Sequence, residues 1–190
     1  MPQPETAVTS RRPLIVYMAL AIAAIASTSS AQTQGRVSNG QSLPGGASSL
    51  QETYQDWQVT CRIMENARFC AVSQQQVQQN GQRVIAIELQ QGADGKLAGS
   101  LVLPFGLMFD NGVSVTIDDK PAGEPIRFKT CLPGGCLVPL VIDAVMLASL
   151  RTGTSLKVQA VSADGPTVPF TVPLKGFSAA SDRLKALTAS

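Results

Sequence analysis

WQVTCRIMENARFC, residues Trp57 to Cys70, alternates apolar and polar side chains toward an Asn-containing turn and carries a cysteine on each arm. Trp57, Val59 and Cys61 share one face of an extended chain, because successive Cβ atoms point to opposite sides of a strand. With Glu65 and Asn66 at the centre of a two-residue turn, Met64 faces Ala67, Ile63 faces Arg68, Arg62 faces Phe69, and Cys61 lands opposite Cys70. The segment predicts a β-hairpin with its thiols in register.

The same period of two continues outward from this hairpin. In RVIAIELQ, Ile85, Ile87 and Leu89 share a face, and in VSVTID Val113, Val115 and Ile117 alternate with Ser114, Thr116 and Asp118. IRFKT places Ile126 with Phe128, LKVQAV places Leu156 with Val158 and Ala160, and a further strand is expected around Phe170. Asn80-Gly81, Asp94-Gly95, Asn111-Gly112, Pro133-Gly134 and Asp164-Gly165-Pro166 supply the turns. About eight short strands with closely spaced turns predict a mainly β chain folded as an antiparallel β-sandwich. Two short helices interrupt the pattern. Asp143 is a suitable N-cap for AVMLASLRTG, which would turn Val145, Met146 and Leu150 inward and stop at Gly153. A second, C-terminal helix from about Ser178 sets Phe177, Ala180, Leu184 and Leu187 on one stripe, with Arg183 and Lys185 outward. The Gln-rich run SQQQVQQNGQ reads as a solvated hairpin end.

The N-terminus bears on compartment. Arg11 and Arg12 precede LIVYMALAIAAIA, Leu14 to Ala26, and small residues follow, the layout of a signal peptide over residues 1–31 with cleavage before Gln32. An uncleaved anchor is the competing reading, although the run is shorter than the roughly 20 residues of a spanning helix. No cysteine near the cleavage site offers a lipid attachment point. Residues 32–53, rich in Gly, Ser and Gln, are expected to be a mobile leader, and residues 54–190 a single folded domain. The mature chain is therefore expected in the periplasm, the outer envelope or the medium, without a membrane span. A chain of 190 residues, 44% hydrophobic, suits one compact core. Its formal net charge is +2 and it has no basic run, so nucleic acid is not an expected partner.

In an exported chain the four cysteines predict two disulfides, with three possible connectivities. Local pairing, Cys61 with Cys70 and Cys131 with Cys136, follows from hairpin geometry. In CLPGGC, Pro133 and Gly134 suit the centre of a type II turn, with positive φ at Gly134. Loop-closure entropy favours long-range pairing, worth about 4 to 5 kcal/mol against roughly 2 to 3 for a short loop. Geometry must be met first, so local pairing is preferred while the long-range alternatives stay open. Cys131 shares parity with Arg127 and Lys129, which makes its bridge the more exposed and more reducible one. A thioredoxin-like centre would need C-x-x-C at a helix N-terminus, and a thiolate zinc site closely spaced pairs; neither spacing is present.

The chain has no histidine, the usual base of Ser or Cys nucleophilic catalysis and the commonest transition-metal ligand. Asp118 and Asp119, adjacent on a strand end, would point apart and could not flank one bond. No phosphate-cradling glycine motif is present. No catalytic, cofactor-binding or metal residue is therefore expected, and Cys61, Cys70, Cys131 and Cys136 are expected as disulfide residues.

Taken in order, DWQVTC (Asp56 to Cys61), FCAVSQ, LPFGLMFDNGVSVTIDDKP (Leu103 to Pro121), FKTCLPGGCLVPL (Phe128 to Leu140) and VPLKGFSAASDRL (Val172 to Leu184) resemble the invasion-associated locus B (IalB) family of exported alphaproteobacterial proteins. The resemblance covers the expected mature domain but not the leader. It implies an immunoglobulin-like β-sandwich, residence in the periplasm or cell envelope, and a link to host-cell invasion in pathogenic members. It brings no catalytic residues. The expected function is a non-enzymatic interaction module whose partner is an unknown protein or envelope component. The alternatives are a thiol-exchange factor working through Cys131 and Cys136, or a carrier of a small apolar ligand between the sheets.

Overall fold

Ten strands and two helices follow one another in the computed structural model, which describes residues 42–189. They are β1 (Ser49–Tyr54), β2 (Trp57–Met64), β3 (Ala67–Val77), β4 (Arg83–Gln91), β5 (Leu97–Leu103), β6 (Val113–Ile117), β7 (Thr130–Leu132), β8 (Gly135–Ile142), α1 (Ala144–Thr152), β9 (Ser155–Val161), β10 (Thr167–Pro173) and α2 (Phe177–Thr188). The mainly β, antiparallel sandwich with a C-terminal second helix is as expected. A seven-stranded sheet runs β1-β2-β3-β4-β5-β8-β7, and a three-stranded sheet runs β10-β9-β6. The first five strands form a meander because each turn is too short to do anything but return the chain beside itself.

The larger sheet buries one face. Val59, Cys61, Val72, Ile87, Leu89, Leu101, Val138 and Leu140 point inward and meet Leu156, Val158, Phe170 and Val172 of the smaller sheet, and α2 covers part of the same face. Phe177, Ala180, Leu184 and Leu187 are the buried stripe of α2, as their spacing predicts. Trp57 is fully buried; its indole N–H donates to Pro173 O at 3.0 Å, and its ring meets Phe177 edge-on with centroids 4.9 Å apart. One side chain thus ties β2 to the end of β10 and the start of α2.

The hairpin centred on Glu65 and Asn66 has the expected register, Cys61 opposite Cys70. Both turn residues take positive φ, 49° and 64°, as a type I′ turn requires. In the second cysteine hairpin Cys131 faces Cys136, but positive φ falls on Gly135 (133°), not on Gly134. A Cβ on Gly135 would lie 2.6 Å from Leu103 O, so the packing of β5 beside β8 places that demand one residue later.

Other expectations need correction. The stretch expected as a mobile leader, 32–53, ends in strand: β1 (Ser49–Tyr54) pairs along its whole length with β2, and Leu43 is buried. Local composition does not reveal this because no residue of β1 is fully buried and its one charge, Glu52, is held by Arg183 of α2, far away in sequence. Residues 1–31, the expected signal peptide, and 32–41 lie outside the described residues. IRFKT is not a strand; Ile126 makes an isolated bridge to Val113, and pairing resumes only at Thr130. β5, and β8 beyond the expected Cys131–Cys136 hairpin, carry no sequence signal of period two. In β8 apolar residues occupy both faces, which hides the period, and Pro139 argues against a strand. Pro139 is tolerated because β7 pairs only as far as Leu137, leaving the missing N–H on an uncovered edge. Asp143 caps α1 as predicted, accepting from Met146 N at 2.7 Å, but Val145 is 77% exposed. Gly153 follows α1 with extended backbone, and the site needs glycine for space, since a Cβ there would sit 2.7 Å from Ile117 Cγ2.

Gly176 precedes α2 with φ 93°, and a Cβ on it would lie 2.0 Å from Tyr54 O. Gly176→Ala is expected to cost more than about 2 kcal/mol, since strain and a backbone clash add. Gly165 also has positive φ, 102°, but opens on free space, so Gly165→Ala should cost only about 1 kcal/mol. Urea midpoints of the two variants with disulfides intact check the difference.

Candidate interaction surface

The four cysteines form Cys61–Cys70 and Cys131–Cys136, with Cα separations of 4.1 and 3.9 Å and no free thiol among the described residues. Counting from the closing pairs Met64–Ala67 and Leu132–Gly135, both bridges fall on non-hydrogen-bonded positions, where facing Cα atoms are closest. Cys61 and Cys70 belong to the inner face and are buried. Cys136 is buried too, whereas Cys131 is half-buried. The greater exposure expected of the second bridge therefore resides in one sulfur.

That second hairpin stands at one end of the sandwich, together with the β3–β4 loop, the long β5–β6 connection and the β9–β10 turn. The placement follows from register: Leu103 pairs with Cys136 and Ala86 with Val102, while β6 starts beside the end of β9. Hydrogen bonds lock these loops together. Arg83 Nη1 donates to Gly134 O at 3.1 Å, Met108 N to Val161 O at 2.8 Å, and Ala163 N to Gly106 O at 2.8 Å. Phe109 stacks on Phe128 with centroids 4.7 Å apart. On this frame Val77, Phe105, Met108, Phe109 and Leu132 are all exposed, Phe105 at 61%. They are five of the nine large hydrophobic residues exposed among those described. A groove of about 330 Å³ runs beside them, lined by Val84, Pro104, Phe105, Leu107, Val168 and Phe170 among others.

Asp118 and Asp119, the carboxylates singled out by sequence, are each engaged structurally. Asp118, at φ 52°, accepts from Ser155 N at 2.9 Å and Thr154 N at 3.1 Å. Those backbone donors, Ser155 first, hold its carboxyl below the ordinary value of 3.8. Asp119 pairs with Lys157 Nζ at 2.8 Å, so the neighbouring carboxylates do not converge on a common point. Glu52 was assigned to the leader by sequence alone and was missed; it accepts from Arg183 Nε at 2.7 Å and Nη2 at 2.8 Å, and from the Tyr54 hydroxyl at 2.7 Å. Arg183 is accordingly not the free outward charge expected of it. Its hydrogen bonds hold the Glu52 carboxyl below 4.5, and Arg151 does the same for Asp182 relative to 3.8. The apolar end was missed as well. Its only sequence signal is FGLMFDNG, a run of large apolar residues without period two.

Comparison with known proteins adds identity to this geometry. The family described as Invasion associated locus B (IalB) protein matches residues 57–185. An invasion protein B homolog of Brucella abortus (strain 2308) is 50% identical over 150 residues, covering 77% of this chain and 86% of that protein. Invasion protein B of Bartonella bacilliformis is 36% identical over 148 residues, covering 76% and 80%. The crystal structure of invasion associated protein b from Bartonella henselae superimposes with a TM-score of 0.69 at 36% identity, covering 74% of this chain and 97% of that one.

Two outcomes follow from the geometry. Under limiting dithiol the Cys131–Cys136 bridge should open before Cys61–Cys70, because only Cys131 offers a partly accessible sulfur; differential alkylation and peptide mass mapping read the order. The lowered carboxyls make acid destabilising. Their folded values lie below the unfolded ones, so their contribution is complete above the ordinary carboxyl range and is lost as pH falls through the folded values. Urea midpoints from pH 6 to 2 should decline, and Glu52→Gln should flatten that decline while lowering stability at pH 6.

Proposed function

Because the chain belongs to the invasion associated locus B family, we propose that it is an exported, non-enzymatic interaction protein of the bacterial envelope that takes part in contact with host cells. A signal peptide over residues 1–31 would carry it to the periplasm or beyond, where paired cysteines oxidise. The observation that carries the reading is the apolar end. Phe105, Met108 and Phe109 on the β5–β6 connection, with Val77 and Leu132 at the ends of β3 and β7, stand exposed on a frame held by hydrogen bonds, a ring stack and a disulfide. Exposed hydrophobic residues gathered on a rigid frame favour docking to another protein, since little loop entropy is lost on binding. The paired Asp119 and the backbone-bound Asp118 support a structural use of the most suggestive carboxylates. No described helix is long and apolar enough to cross a membrane.

A photo-crosslinking residue placed at Phe105 should yield a discrete protein adduct in intact cells, and the same residue at Glu65, in the turn at the far end of β2 and β3, should not. Phe105→Ser with Met108→Ser should lower capture at least tenfold while leaving the thermal midpoint within a few degrees. Equal capture from Glu65, or indifference to the double substitution, overturns this surface. An intact N-terminus on envelope-recovered protein overturns export by cleavage before Gln32.

A further inference from the structure

The two sheets present four edges, and three are closed, or nearly so, to further pairing. On the small sheet, Leu174 N donates to Thr154 O, which sets alternate residues of β10 toward β9 and turns Pro169, Thr171 and Pro173 outward. Two of those three have no N–H to offer. Their side is also capped: Gln76 Nε2 donates to Thr171 O at 2.6 Å, and Trp57 Nε1 and Gln74 Nε2 donate to Pro173 O at 3.0 and 3.3 Å. On the β6 edge Ile126 exchanges both backbone hydrogen bonds with Val113 and Lys120 N donates to Ile117 O, so only the short stretch around Val115 between them is left for a strand to pair with. On the large sheet, β7 is three residues long, and beyond it β8 presents Pro139. Short edges and edge prolines are the usual means of preventing strand addition.

β1 has none of these devices. Tyr54 and Trp57 close its turn with β2, and Ile63 N donates to Ser48 O, so Ser48, Leu50, Glu52 and Tyr54 bond inward while Ser49, Gln51 and Thr53 direct N–H and C=O outward. All three outward residues are exposed and uncharged, and among the described residues no backbone group pairs with them. We propose that this edge is a self-association site, at which β1 of a second copy adds antiparallel across a two-fold axis through Gln51.

The register commits the partner to a second copy. With Gln51 facing Gln51, Ser49 faces Thr53 and Leu50 faces Glu52, so no like charges meet. The outward residues can form about six N–H···O bonds, and the two Gln51 amides can bond to each other. Glu52 is already neutralised by its two bonds from Arg183, which removes the one charge on β1. A two-fold axis makes the contact isologous and closed, joining two seven-stranded sheets into one without leaving an edge for fibre growth. The formal charge of +2 per chain sets up little repulsion between copies.

Sedimentation velocity of the full chain over a micromolar series should show a monomer–dimer equilibrium. Gln51→Lys places like charges opposite each other and should raise the dissociation constant at least tenfold. Gln51→Pro removes an outward N–H without touching the β1–β2 ladder and should do the same, with the thermal midpoint reporting that each variant folds. Gln51→Cys should oxidise to an interchain disulfide, since facing Cα atoms would lie about 5.5 Å apart, whereas Thr53→Cys should not, its copies being roughly 14 Å apart. A chain monomeric at several hundred micromolar, a dimer indifferent to both Gln51 substitutions, one abolished instead by Phe105→Ser, or crosslinking at Thr53 in preference to Gln51 overturns the proposal.

Discussion

Trp57 is the constraint on which the rest of the structure depends. Its indole fills the space where the large sheet, the end of β10 and the first turn of α2 meet, and its N–H is satisfied by Pro173 O. A buried indole N–H without an acceptor would cost about 1 to 3 kcal/mol, so the ring fixes the path of residues 173–177 as well as filling volume. The surroundings leave little latitude. Asp56 N reaches Lys175 O, and Gly176 crosses the Tyr54 carbonyl at a distance no side chain could survive. The segments DWQVTC and VPLKGF, more than a hundred residues apart, are the two halves of one joint. Once closed, the joint lays α2 over β1 to β4 and brings Arg183 to Glu52.

Two further segments gather at the loop-bearing end of the sandwich. LPFGLMFDNG and FKTCLPGGC meet through the Phe109–Phe128 stack, and Gly112 passes within reach of Ile126 because it lacks a side chain. The Trp57 joint is inward and organises the core. The loop end is outward and leaves large apolar side chains in water, where each would ordinarily gain about 1.5 to 3 kcal/mol by burial. The chain keeps Phe105 exposed at the end that carries the disulfide-bonded hairpin, and that exposure is what the proposed contact role rests on.

What could be read from the sequence was whatever depends on neighbours. Period two in Trp57 to Cys61 and Ile85 to Leu89, the turn at Glu65-Asn66, the Asp143 cap and the stripe of α2 are local properties, and the structure shows each of them. The cysteine pairing was accessible for the same reason, since turn geometry sets it. What escaped depends on distant partners. β1 looks like linker because Glu52, Leu50 and Tyr54 acquire meaning only when α2 arrives. β8 carries apolar residues on both faces and a proline permitted only at an edge. The apolar end has no period, and the closeness of Phe105 to Leu132 follows from β5 pairing with β8.

The disulfides belong to this division between local and distant order. Each closes a short loop, worth roughly 2 to 3 kcal/mol by chain entropy, a substantial share of the 5 to 15 kcal/mol typical of a domain. Neither bridge joins the two sheets or reaches α2, so neither can substitute for the Trp57 joint in holding the sandwich together. What they restrain is the relative sliding of two hairpins at opposite ends of the large sheet. Cys61–Cys70 holds the register that places Trp57 inward, because a shift of one residue would turn every side chain of β2 to the other face. Cys131–Cys136 holds β7, too short to persist as an edge by its three pairs alone, and with it the hairpin on which Leu132 stands exposed. The first bridge therefore serves the core and the second the exposed apolar end.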